Sequence, residues 1–184
     1  MQIKEKIWLT SKTRMNSEIR LKRYDLYANI LIISYSFTLI CISIANSISP
    51  NDNLEDIPLV VLSLGVFTLS IIVYFSDFRG KAATFRECYL RLDKLNDTEK
   101  SEETLTKLYH EILHGYPNHA DVDFYKLVIG NPLDKGHKIN DAKGSPITPT
   151  IRKRIQYLLQ AISVHIFFVV LLFFPIYFLH SVVN

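Results

Sequence analysis

Cysteine is scarce in this chain of 184 residues: Cys41 and Cys88 are the only two. One lies in an apolar stretch and the other in a charged one, which excludes a disulfide framework. Glycine-rich phosphate loops, a Cys-x-x-Cys pair and a Ser/His/Asp elbow are also missing, which leaves little that looks enzymatic. Between Met1 and Ser49 there is neither glycine nor proline, so nothing in that segment interrupts a helix. Charge is missing in a more telling way. Residues 28–49, 57–76 and 155–184 contain no Asp, Glu, Lys or Arg.

Each of these stretches is long enough to cross a hydrocarbon core of ~30 Å, which takes roughly 20 helical residues. All 21 Lys and Arg residues lie outside them: seven before the first and fourteen between the second and third. The connector 46–56 holds Asp52, Glu55 and Asp56 and no basic residue. The positive-inside rule then predicts an inside N-terminus, an outside hairpin tip, an inside segment 79–154 and an outside C-terminus. Glu5, Glu18 and Asp25 precede the first stretch, which is too long for the apolar core of a secretory signal, so it is expected to stay as an anchor. Basic clusters at 20–23, 79–86 and 152–154 flank the spans and suit anionic lipid head groups, at about 1 kcal/mol per residue. Direct nucleic-acid binding is not expected from charges in that position.

The segment 4–27 is rich in helix formers and places Ile7, Trp8, Ser11, Met15 and Ile19 near one face. It is expected to run unbroken into the first span. Past Gly80, Phe85, Cys88, Tyr89, Leu92 and Leu95 step by three and four, predicting an amphipathic helix that continues the second span inward. Residues 96–103 read as a turn, and Leu105, Leu108, Tyr109, Ile112 and Leu113 as a further helix ended by Gly115-Tyr116-Pro117. A short helix is expected near 120–129, and a linker over 130–150. Pro175 is expected to kink the last span or to mark its outer end. No internal repeat is visible.

The expected architecture is an all-α membrane protein. An N-terminal cytoplasmic helix (1–27) precedes a transmembrane helical hairpin (28–76), and a cytoplasmic helical region (77–129) and linker (130–150) lead to a third C-terminal transmembrane helix (151–184).

His110-Glu111-Ile112-Leu113-His114 matches the H-E-x-x-H pattern, in which two His one turn apart bind zinc and the Glu activates water. The helix ends immediately, and a third ligand would have to come from His119, Asp121 or Asp123. The plainer reading is a solvated helix face, and no metal or other cofactor is expected. Within the spans, Ser36, Ser43 and Ser47 fall within ~20° of one line on a helix, and Ser63 and Ser70 share a line that continues to Asp77. Such lines serve either a wetted pore in an oligomer or close helix packing. No ionisable residue sits at mid-depth in either span, which argues against proton coupling. Gln160 and His165 are the polar exceptions of the third span, open to an interhelical hydrogen bond or to a functional role.

Lys12-Thr13-Arg14-Met15-Asn16, then Arg20-Leu21-Lys22-Arg23-Tyr24-Asp25 and an apolar span with Tyr35-Ser36, resembles the SLATT family (SMODS and SLOG-associating two-transmembrane effector domain). The later run Tyr109, Ile112-Leu113, Tyr116-Pro117-Asn118-His119 and Asp123 is similar to the inside segment of the branch often linked to reverse transcriptases. The resemblance implies a membrane effector of bacterial conflict systems that perforates the inner membrane once a cytoplasmic sensor or reverse-transcriptase-type partner signals invasion. It carries Arg14, Asn16, Arg20, Tyr24, Tyr35, Pro117, Asn118 and His119 as motif positions, makes the H-E-x-x-H match incidental, and departs from a two-span name by a third span. Three helices of one chain cannot enclose an aqueous path, so a homo-oligomer is expected. The rival expectations are a non-conducting anchor that recruits a cytoplasmic partner and a zinc-dependent membrane protease.

Overall fold

The computed structural model describes residues 2–48, 56–130 and 150–183. Among them every regular element is a helix: α1 (Ile3–Ile48), α2 (Asp56–Ser76), α3 (Phe78–Asn96), α4 (Glu102–His114), α5 (Asp121–Gly130) and α6 (Ile151–Val183). Three stretches of helix, Ile3–Ala45, Leu59–Asn96 and Ile151–Tyr177, are long and apolar enough to cross a membrane. The hairpin tip and nearly all of the expected linker lie outside the described residues.

The absence of Gly and Pro has the predicted effect on α1, which runs 46 residues without a break. Pro175 does not end α6, which continues past it to Val183. The second span is not continuous with the helix that follows. Asp77 has φ 45°, a left-handed conformation that a short polar side chain tolerates better than most, and it separates α2 from α3. The line drawn through Ser63 and Ser70 to Asp77 therefore leaves regular helix before its last member. The amphipathic region after the second span is likewise two helices, α3 and α4, as the polar turn between them requires.

The chain divides into two compact units. Met1–Lys22 and Arg79–Gln160 form unit 1; Arg23–Phe78 and Ala161–Asn184 form unit 2. The core of unit 1 joins Ile3 and Ile7 of α1, Cys88, Leu92 and Leu95 of α3, and Leu105 and Tyr109 of α4. These are the three-and-four-spaced positions of the two amphipathic helices. α4 starts at a Ser101 cap, whose hydroxyl accepts from the Thr104 N–H at 3.4 Å. Ile19, expected on the buried face of α1, is exposed, because the buried line runs instead through Ile3, Ile7, Ser11, Arg14, Glu18 and Leu21.

In unit 2 the apolar helix surfaces face outward. None of the most apolar window of α2 is buried within the chain, and only 6% of that of α6, so these surfaces must be covered by lipid or by other chains. On α1 the buried residues are Leu31, Thr38 and Ile42. Tyr27 of the same face stacks on Phe168 of α6, with centroids 4.0 Å apart, and meets His165 edge-on. His165 engages Ala161 O of its own helix through Nδ1 at 2.6 Å, so that nitrogen is satisfied without a second helix.

Candidate functional site: a buried ionic knot and the hydroxyl faces of the spans

Polar residues of α1 are buried in unusual number. Ser11, Thr13, Arg14, Asn16, Ser17 and Glu18 are all buried, where a helix entering a membrane from water would ordinarily show them to solvent. The reason is that α1 is surrounded here. On one side the Ser11 hydroxyl donates to Asp93 of α3, and on another Thr10 shares a 3.0 Å hydrogen bond with the Tyr109 hydroxyl of α4. Lys6 lies over the Tyr109 ring. A third side carries the densest set of bonds.

Asp123, in the first turn of α5 and 1% exposed, is the centre of that set. Arg20 donates from Nε to its Oδ1 and from Nη2 to its Oδ2, both at 2.9 Å, the two-pronged geometry that a guanidinium matches best. The Ser17 hydroxyl donates to Oδ2 at 2.7 Å, and Asn16 Nδ2 donates to the Asp123 backbone carbonyl at 3.2 Å. Placement at the start of α5 also sets the carboxylate at the favourable end of the helix dipole. One turn earlier on α1, the fully buried Arg14 donates from Nη1 to the Pro117 carbonyl at 2.9 Å. Because a buried charge must be paired or hydrogen-bonded, these contacts fix α5 and the segment before it against α1.

The knot gathers Arg14, Asn16, Arg20, Pro117 and His119 from two segments about a hundred residues apart in sequence. Asn118 is exposed, and Tyr24 and Tyr35 lie in unit 2, Tyr24 edge-on to Phe78 at 6.0 Å. Sequence reasoning did not find Ser17 or the Ser11–Asp93 pair. The available signal was a helix stretch, residues 10–20, that is polar on every side yet free of helix breakers.

His119 Nδ1 and Arg14 Nε are buried without hydrogen-bond partners among the described residues. Burial pushes the His119 pKa below its ordinary value of 6.5; the Arg14 charge lowers it further, while Asp123 and Asp121 oppose the shift. Neutral in both states above that value, His119 then contributes no pH dependence. As pH falls through 6.5 the unfolded chain takes up a proton that the folded chain resists, so folding stability declines toward acid. Unfolding of the detergent-solubilised protein between pH 8 and 5 should show this decline, and His119→Gln should flatten it.

His110, Glu111 and His114 stand exposed on α4. Glu111 borders an open cleft of about 580 Å³ with Glu87, Arg91, Leu108, Ile112 and Tyr116. His119 and Asp123, two of the residues a third zinc ligand would come from, belong to the knot. No group of three His, Cys, Asp or Glu residues among the described residues is placed to hold a metal.

In the spans, the face of α1 that packs within the chain comprises Tyr27, Leu31, Tyr35, Thr38 and Ile42. At 100° per residue, the line of Ser36, Ser43 and Ser47 lies about 140° around the helix from that face. Ser43, Ser47 and Ser63 are exposed, and Ser36 and Ser70 half-buried. Ser47, Ser63 and Ser70 each donate to a carbonyl of their own helix. The Ser47, Ser63 and Ser70 hydroxyls are thus satisfied within their own helices, and Ser43, Ser47 and Ser63 are left exposed by their own chain.

These features define an all-α membrane protein with three helices long and apolar enough to span. Residues 1–180 match the family described as SMODS and SLOG-associating 2TM effector domain family 5, and the chain belongs to it. The match reaches past Tyr177, so the third apolar helix lies within the family's bounds although the description counts two. No curated protein and no solved structure matches the chain.

Proposed function

We propose that the protein is a pore-forming effector of a bacterial anti-phage or conflict system, acting as a homo-oligomer in the inner membrane to depolarise the cell. The observation that carries this reading is the free hydroxyl face of α1. Ser36, Ser43 and Ser47 avoid the surface on which the chain packs against itself, as pore-lining positions of an oligomer would. The distribution of basic residues supports an inside N-terminus and an outside C-terminus, with the basic flanks resting on anionic lipid.

Gating is assigned to the inside end. The knot ties α5 to α1, and α1 continues unbroken into the first span. A sensor or reverse-transcriptase-type partner that binds the knotted and released states with different affinity would shift the population between a closed and an open pore. The competing anchor reading is favoured by the local satisfaction of Ser47, Ser63 and Ser70, which suits dry packing as well.

Induced expression in bacteria with a voltage-sensitive dye tests the proposal. Membrane potential should collapse within minutes of protein reaching the membrane, and equally in Glu111→Gln. A potential that holds at good membrane expression, in the knot-releasing Asp123→Ala variant as well as in the wild type, would support the anchor. Depolarisation that depends on Glu111 would support a metal-dependent enzyme.

A further inference from the structure

Proline inside a helix removes one N–H and leaves the carbonyl four residues earlier without its helical donor. In α6 the proline is Pro175, and the carbonyl it deprives is that of Leu171. The Tyr35 hydroxyl of α1 donates to that Leu171 oxygen at 2.9 Å. In a hydrocarbon setting no water can take the donor's place, so backbone groups freed by proline persist where a neighbouring helix satisfies them. Pro175 is itself buried, and the Tyr27–Phe168 stack lies two helical turns back along the same face of α1. On α1 the stacking Tyr27 lies opposite the line of Ser36, Ser43 and Ser47, and Tyr35 lies about 100° around the helix from that line.

We infer that Tyr35 is the positioning residue that seats the third span on the back of α1. α6 is thereby a brace outside the pore, and the lining is left to the hydroxyl faces of α1 and α2. The seating stands on the hydrogen bond alone, whereas the brace placement rests on the pore reading above.

A double-mutant cycle tests the seating in membranes, in a chain carrying Cys41→Ala with Tyr27→Cys and Phe168→Cys as a crosslinking pair. Tyr35→Phe should lower the crosslink yield roughly threefold or more while residue 175 is proline. With Pro175→Ala in place it should change the yield little, because residue 175 then supplies its own N–H to Leu171. Equal losses in both backgrounds would make Tyr35 a mere filler of space and overturn the seating. The brace placement is tested by charged thiol reagents on the conducting protein. Ser43→Cys should be blocked and Phe168→Cys should not; block at Phe168→Cys would overturn it. A chain that conducts nothing overturns the pore reading and the brace with it, while the crosslinking cycle still decides the seating.

Discussion

Asp123→Ala should cost unit 1 about 3 kcal/mol of folding stability, the low end for breaking a buried ion pair. The low end applies because the Arg20 side chain is 24% exposed and recovers some hydration once its partner is gone. The loss is still large because one carboxylate serves three donor atoms, from Arg20 Nε, Arg20 Nη2 and Ser17, and all three lose it at once. Arg91→Ala provides the contrast. Its i,i+4 pair with Glu87 is short, at 2.6 Å, but both side chains are more than half exposed, so its removal should cost about 0.3 kcal/mol. Chemical unfolding in detergent, followed by far-ultraviolet circular dichroism, compares the two. Similar losses for both would mean that the knot does not hold α5 to α1. Asp123→Ala should also uncouple depolarisation from its trigger, since the restraint on α1 is then gone.

The second large effect is expected from the spans. Replacing Ser36, Ser43, Ser63 and Ser70 together by Leu should reduce ion leakage to that of protein-free membranes, because an apolar constriction expels water. Folding should survive. Ser43 and Ser63 are exposed on their own chain, and leucine on a lipid-facing or chain-facing surface adds apolar contact without displacing a neighbour. Ser36 and Ser70 are half-buried, so single substitutions at those two positions, read by circular dichroism, separate misfolding from a closed pore. Leakage that persists in the folded quadruple variant would mean that these faces do not line the path.

The spans were legible in the sequence because charge is forbidden in lipid far more strictly than any residue type is forbidden in water. Three uncharged stretches and a one-sided distribution of Lys and Arg suffice for that inference. The core of unit 1 was legible for a similar reason: Cys88, Leu92, Leu95, Leu105 and Tyr109 keep helical spacing within short segments. The knot was not. Arg20 and Asp123 are 103 residues apart, each sits among polar neighbours, and either alone reads as a solvated charge. Only the resemblance singled out Arg14, Arg20 and the 117–123 run, and it did not bring them together.

Asp77 and Pro175 mark the other limit. A helical line extrapolated through Ser63 and Ser70 assumes regular backbone, and the left-handed turn at Asp77 is invisible to periodicity. Pro175 announces a freed carbonyl, but the donor that meets it, Tyr35, lies on a different helix 136 residues before Leu171.

The central claim is that this chain makes membranes leak, and reconstitution of the purified protein into sealed vesicles containing anionic lipid tests it most directly. Potassium efflux should rise with the protein-to-lipid ratio, more steeply than linearly if several chains form each path, and should be absent with the four-leucine variant. Vesicles that stay tight with the wild-type chain and with Asp123→Ala alike, while protease protection shows both inserted, would contradict the account.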